Sequence, residues 1–343
     1  MPQKLPENSM SISIIVPVHN ASTTLEVAVV SALKLGVDLE IIVVDDYSSD
    51  DTVRVAKELQ RRFQGLSVIE FSSNRGVSSA RNAGINAATK HWITFLDADD
   101  AIYIDDISRA FLTNYKDPVT DLIIFNHTNS NISSPPECYG LCAGNLDKHH
   151  LKLLAAAYLR NPTGHSIITH CWGKIYRRSF LLDNLIRFKD DLLIYEDTEF
   201  VGKCLIFAQQ AIFVTGNLYY YRSSTGLSRH FEKMPLGFIP AVNNFSKLAG
   251  DNALAAQASG VFIARTLSLT RNLAIKRRYY LIQLISTQTN NSLLDSNGIK
   301  SRVLKLIVRT RLWRKPLLCT ILLSVFYSRS SSPGLPWGLP GAP

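Results

Sequence analysis

Residues 11–18 (Ser-Ile-Ser-Ile-Ile-Val-Pro-Val) form a short, β-branched apolar run that stops at His19-Asn20. Thr23-x-x-Glu26 then reads as a capping box opening a helix with apolar periodicity. The unit returns at Glu40–Val44, an apolar run ending in Asp45-Asp46, followed by a polar turn and a helix from about Asp51 to Phe63. A third pass gives a strand over 66–71 and a helix over 77–88, and a fourth strand, 91–96, runs straight into Asp97. The run over 40–44 is of the buried type, as expected of a strand covered on both faces. Alternating strands and helices predict an α/β fold with a mostly parallel sheet and right-handed crossovers.

In such sheets ligands bind beyond the carboxyl ends of the strands. His19, Asn20, Asp45, Asp46, Asn74, Arg75 and Asp97 to Asp100 all fall at those ends and are expected to line one crevice. Residues 117–144 are rich in Pro, Ser, Asn and Gly around the apolar run Leu122–Phe125, which predicts a strand leading into a long surface loop. From Leu151 to Tyr221 helix and strand patterns mix, and beyond Met234 the pattern is mainly helical. Ile299–Lys315 sets Val303, Leu304, Ile307, Val308 and Leu312 at helical spacing opposite Arg302, Lys305 and Arg309, until Pro316 breaks it. Residues 1–10 and the Ser-, Pro- and Gly-rich 328–343 are expected to be disordered.

A chain of 343 residues with 46% hydrophobic content can bury a large core. Its net charge of +9 is concentrated, because residues 261–329 hold 13 Lys or Arg against the single acid Asp295. That stretch suits an anionic partner: a membrane surface, nucleic acid or an acidic substrate. Nucleic acid fits worst, since no stacking platform or recognition-helix module accompanies the charge. An anionic membrane surface met by the basic amphipathic helix stands at even weight with a packed helix whose charged face is solvated. Five cysteines (138, 142, 171, 204, 319) are odd in number and unevenly placed, which argues against a disulfide framework and for a reducing compartment. Cys138-x-x-x-Cys142 with His149 and His150 matches no common zinc spacing. Neither a secretory signal nor an apolar run of roughly 18 residues is found, so the expected location is cytoplasmic, peripheral to the inner face of the inner membrane if the basic helix binds lipid.

Asp97-Ala98-Asp99-Asp100 places three carboxylates at the end of a buried strand, where like charges repel and raise one another's pKa. A hard divalent cation, Mn²⁺ or Mg²⁺, relieves that repulsion through oxygen ligands shared with substrate phosphates. An isolated Asp-x-Asp is more often a helix cap with solvated acids, but here it follows a repeated strand-helix unit. A carboxylate elsewhere is then needed to take a proton from an attacking hydroxyl, and Tyr195-Glu196-Asp197-Thr198-Glu199 supplies candidates. The absence of a G-x-G-x-x-G after the first strand counts against a dinucleotide-dependent dehydrogenase.

Four ordered segments, 15–20 (Ile-Val-Pro-Val-His-Asn), 43–50 (Val-Val-Asp-Asp-Tyr-Ser-Ser-Asp), 74–82 (Asn-Arg-Gly-Val-Ser-Ser-Ala-Arg-Asn) and 95–100 (Phe-Leu-Asp-Ala-Asp-Asp), resemble glycosyltransferase family 2. The resemblance implies a GT-A nucleotide-diphospho-sugar transferase fold and inverting transfer from a nucleotide-sugar donor, with UDP the expected nucleotide. It implies that Pro17, His19 and Asp46 surround the nucleoside, that Arg81 lies near the diphosphate, and that Asp97 and Asp99 serve the metal-dependent motif, Asp99 binding the ion. His19 stands where the family more often has Tyr. Residues 171–178 (Cys-Trp-Gly-Lys-Ile-Tyr-Arg-Arg), followed by Tyr195-Glu196-Asp197, resemble a second block of members that build bacterial surface polysaccharides, which makes Asp197 the base. Trp172, Lys174, Tyr219–Tyr221 and His230 are further candidates for contacts to donor or acceptor. The implied organisation is a domain over 11–232, with a nucleotide-sugar half (11–115) and an acceptor half (116–232), then a helical basic region over 233–327. The acceptor expected is a glycan or glycolipid. Two other readings stay open: a non-catalytic sugar-nucleotide-binding scaffold, which would be expected to lack a catalytic carboxylate, and a nucleotidyltransferase, which would be expected to carry a Gly- and Arg-rich phosphate loop after the first strand.

Overall fold

The computed structural model describes residues 10–117, 119–129, 143–160, 169–192 and 196–222. Strands β1 (Ser11–Val18), β2 (Asp38–Asp45), β3 (Leu66–Glu70) and β4 (Trp92–Phe95) alternate with helices α1 (Leu25–Ala32), α2 (Thr52–Arg62) and α3 (Val77–Ala87). The four strands are parallel and lie in the order β3-β2-β1-β4.

Their side chains split with period two. Ile15, Ile42 and Val44 enter one core with Ala80 and Ile85 of α3, while Ile14, Val16, Ile41 and Val43 enter the other with Ala28, Val29, Ala56 and Leu59 of α1 and α2. Both faces are covered by helices at the centre of the sheet, which is why residues 14–18 and 41–44 read as continuous apolar runs. Gly84 seats α3 on β1: a Cβ there would lie 2.3 Å from Cγ2 of Ile15.

Beyond β4 come β5 (Ala101–Ile102), α4 (Asp106–Asn114), β6 (Leu122–Asn129), β7 (Gly144–Leu146), α5 (Lys148–Arg160), β8 (Lys174–Arg177), α6 (Arg178–Asp183), α7 (Glu196–Phe207) and β9 (Ala211–Tyr221). Here the sheet is mixed. Strand β8 inserts antiparallel between β4 and β6, β9 lies parallel beside β6, and β5 and β7 run antiparallel to β9. Because β8 runs antiparallel to β4 and β6, the segment entering β8 lies at the same edge of the sheet as the residues leaving β1, β2, β4, β6 and β9.

The Thr23/Glu26 capping box does not form. The N-cap of α1 is Thr24, with no side-chain cap, and Glu26 pairs instead with Arg62 at the end of α2 (2.5 Å). The backbone amides of Ala21 and Ser22 are met by Thr52 Oγ1 (2.8 Å) and Asp50 Oδ2 (3.2 Å). The basic region, the 328–343 tail, His230 and the Cys138/Cys142 pair lie outside the described residues. No helix among the described residues is long and apolar enough to cross a membrane.

Candidate functional site

The ends of β1 and β2 build one wall. Pro17 is buried within β1 in register with Val44. Asn20, at the turn after β1, has φ 52°, the left-handed region that Asn tolerates better than most residues, and its Oδ1 accepts from the Ser49 amide (2.9 Å). His19 is exposed. Its Nδ1 lies 2.9 Å from the Asp46 carbonyl and 3.4 Å from Asn74 Nδ2. The Asp46 carboxylate is buried and doubly used: Oδ1 accepts from the Arg75 amide (2.6 Å) and Oδ2 from the Gly76 amide (2.8 Å). Those amides open α3, where a carboxylate also meets the positive end of the helix dipole. Gly76 sits at φ 86°, a conformation glycine adopts without strain. Asp46 therefore shapes the 74–76 loop beside His19.

Arg81, on α3, gathers the second cluster. Its Nη2 donates to Asp97 Oδ1 (2.9 Å), and its Nη1 donates to both Asp197 Oδ1 (2.6 Å) and Glu196 Oε1 (3.1 Å). The guanidinium is buried, 5.2 Å from the Phe188 ring centroid. Burial opposes its charge, but Asp197 and then the other acids outweigh that and hold its pKa well above the ordinary value. Asp97 moves up, driven by burial and by Asp197, with Arg81 acting against the rise. In the coupled pair, burial and the neighbouring Asp197 push Glu196 up to about 7. Burial also acts against the Asp197 charge, yet Arg81 and His170 prevail and keep Asp197 below the usual carboxylate range. Asp197 is thus ionised at neutral pH.

The remaining acids of the 97–100 turn diverge. Asp100 is buried, accepting from Tyr219 Oη (2.7 Å) and from the Arg222 amide (2.8 Å), and burial followed by the Asp97 charge pushes it up to about 7. Asp99 is half-buried. Among the described residues no group of three His, Cys, Asp or Glu side chains is arranged to hold a metal ion, because Asp97 turns to Arg81 and Asp100 to Tyr219. The donor chemistry nonetheless fits a hard cation. Asp97 and Asp99 are carboxylates two residues apart on one turn, and the pKa values of Asp97 and Asp100 move up through burial first and the neighbouring acids after it.

Opposite these lies an aromatic stack entering β8. Trp172 is buried and stacks on Tyr219 (4.4 Å between centroids), on His170 (4.6 Å) and on Tyr221 (5.7 Å). Lys174, expected at a ligand, is instead buried; its ammonium donates to the His170 carbonyl (2.5 Å), and burial lowers its pKa to about 8. It braces the 170–173 turn. His170 remains exposed on one side, its Nδ1 3.8 Å from Asp197 Oδ2, which also accepts from the Cys171 amide (3.3 Å). Nothing in the sequence pattern singles out His170; only its place beside the 171–178 block gives a hint.

The structure thus brings Arg81, Asp97 and Asp197 into contact and sets His19 and Asp46 along the same edge. Residues 13–183 match the family model for glycosyl transferase family 2. That part of the chain belongs to the family. The chain is 29% identical over 219 residues to EpsH of Bacillus subtilis, which carries the name "Putative glycosyltransferase EpsH", a match covering 62% of this chain and 60% of EpsH. It is 26% identical over 206 residues to the succinoglycan biosynthesis protein ExoU of Rhizobium meliloti, covering 57% of this chain and 56% of ExoU. The match therefore spans less than two thirds of either relative. Among solved structures, TarS of S. aureus (residues 1–349) superposes with a TM-score of 0.64 at 19% identity over 94% of this chain and 93% of TarS, a shared fold. TarS has been solved with UDP and with UDP-GlcNAc.

Proposed function

We propose that this chain is an inverting glycosyltransferase that moves a sugar from a nucleoside diphosphate donor, UDP in the first instance, to a hydroxyl of a growing bacterial lipooligosaccharide, capsular or exopolysaccharide glycan. The observation that carries the reading is the meeting of Asp97, at the end of β4, with Asp197, at the start of α7, on one buried guanidinium. Donor-side and acceptor-side carboxylates then share one site.

Asp197 is the general base. In a single displacement the acceptor oxygen bonds to the anomeric carbon while the bond to the diphosphate breaks, the hydroxyl proton passes to the Asp197 carboxylate, and the diphosphate leaves with the bonding electrons. Asp197 is ionised at neutral pH, as a proton acceptor must be, while the low pKa that Arg81 and His170 impose limits its strength as a base. Pro17, His19 and Asp46 form the nucleoside wall, Asp46 acting through the loop it holds. Asp99, with Asp97 beside it, would hold Mn²⁺ or Mg²⁺, which when bound neutralises charge on the departing diphosphate. The similarity to ExoU supports a polysaccharide acceptor, and the UDP complexes of TarS support the donor class.

The test is a screen of nucleotide sugars for Mn²⁺-dependent release of nucleoside diphosphate, with Asp99→Ala alongside the wild type. Release that persists unchanged in Asp99→Ala would remove the metal assignment. Binding of a UDP-sugar with neither hydrolysis nor transfer would favour the non-catalytic scaffold. Association of the basic helix over 299–315 with an anionic membrane belongs to the same proposal. Flotation with anionic liposomes tests it, comparing the full chain with one ending before Ile299; equal partitioning would remove it.

A further inference from the structure

We propose that Arg81 is a positioning residue that ties the donor-side Asp97 to the acceptor-side Glu196–Asp197 pair, rather than a ligand of the diphosphate; the assignment rests on the transferase reading above. The guanidinium side chain is only 4% exposed, and both of its terminal nitrogens are committed to carboxylates. Its remaining nitrogen, Nε, is buried without a hydrogen-bond partner, and the group lies against the Phe188 ring. Nη1 spends both of its N–H groups on Asp197 and Glu196, so a phosphate oxygen would have to displace one of those acids or reach the other N–H groups of a side chain that is almost wholly covered. Asp97 and Asp197 together already offset the single guanidinium charge, so the cluster presents no excess positive charge to a diphosphate.

The geometry suits bridging. Asp97 and Asp197 stand a hundred residues apart in sequence, and among the described residues Arg81 is the Lys or Arg side chain paired with both. A guanidinium can do this because its planar fork presents donors along two directions at once, whereas an ammonium is a point charge. Arg81 is itself fixed by α3, which Gly84 seats directly on Ile15 of β1. Donor and acceptor halves are thereby registered to the centre of the sheet, and a misplacement of about 1 Å at such a joint costs on the order of 100-fold in rate.

Arg81→Lys tests this in the full chain, with UDP affinity measured calorimetrically in the presence of Mn²⁺ and turnover measured at saturating donor. UDP affinity is expected to stay within about threefold while turnover falls about 100-fold, because Lys keeps the charge but not the span. The opposite split, UDP affinity weakened tenfold or more with turnover at saturating donor retained, overturns the proposal. If Arg81→Lys does not fold, the double variant Arg81→Gln/Glu196→Gln, which removes one charge of each sign, carries the same expectations. A readout independent of turnover is a thermal-unfolding cycle of Asp97→Asn, Asp197→Asn and the pair. Two acids sharing one guanidinium give a loss in the pair that differs from the sum of the single losses; strict additivity overturns the bridge. A wild-type chain that releases no nucleoside diphosphate from any donor would refute the transferase reading and leave this cycle to decide on the bridge.

Discussion

Replacing Asp46 by Asn tests whether the acid at the end of β2 acts through the 74–76 loop. The wild-type carboxylate accepts from two backbone amides, at 2.6 and 2.8 Å, in a buried position. Hydrogen bonds to a charged group contribute roughly 1.5–3 kcal/mol each. Asn keeps one acceptor and turns an NH₂ donor toward the other amide, so one of the two bonds is replaced by donor facing donor. Loss of favourable charge at the start of α3 adds roughly 0.3–1 kcal/mol. The expected destabilisation is about 2–4 kcal/mol, a fall of roughly 5–10 °C in Tm for a domain of a couple of hundred residues. Urea unfolding followed by circular dichroism measures it, with an unchanged slope showing that surface exposure on unfolding is unaltered. Asp51→Asn is the control: its pairing with Arg54 at 3.0 Å is exposed and screened and it accepts no backbone hydrogen bond as N-cap of α2, so the loss expected there is at most about 1 kcal/mol, from the helix dipole. If Asp46→Asn proves as stable as the control, the loop-holding role is wrong.

Further outcomes follow from the same geometry. Burial, then Lys174 and His170, lower the His127 pKa from the ordinary 6.5 to about 4, so the unfolded chain binds more protons between those values and stability falls as pH drops through that window. The loss approaches about 3 kcal/mol below pH 4. It should vanish in His127→Gln, a difference that separates it from Asp100, whose pKa near 7 tilts stability the other way; equal pH slopes in wild type and variant would contradict this. Gly84→Ala gains helix propensity of about 1 kcal/mol. It also drives a methyl into Ile15, and overpacking of this kind costs about 1–3 kcal/mol, so a net loss is expected in thermal unfolding; a gain would show that α3 can shift off β1.

The first hundred residues were legible because their information is local. The central strands are buried on both faces and read as apolar runs over residues 14–18 and 41–44, each crossover carries a helical period, and the observed ends of β1–β4, α2 and α3 lie within a residue or two of the pattern. The Thr23/Glu26 box fails because α1 starts one residue later, with Thr24 as N-cap, which leaves Glu26 at the second helical position and free to pair with Arg62. Beyond β4 the choice of neighbours is non-local. Nothing in Lys174–Arg177 says that this short run inserts antiparallel between β4 and β6, and the β6–β9 pairing carries a bulge at 125–127 that no periodicity announces. The same distinction runs through the site. Asp97 and Asp197 were visible as motifs, but their capture by one guanidinium requires the sheet to be assembled, and His170 meets Asp197 only because Lys174 holds the 170–173 turn.

The central claim, that Asp197 turns a sugar-nucleotide site into a reacting one, is tested most directly by Asp197→Asn. The measurement pairs calorimetric UDP affinity with the rate of Mn²⁺-dependent nucleoside diphosphate release at saturating donor and acceptor. Affinity should stay close to wild type while the rate falls by about 100-fold or more, the scale of a lost general base. A variant that binds UDP normally and releases the nucleoside diphosphate at the wild-type rate would contradict the account.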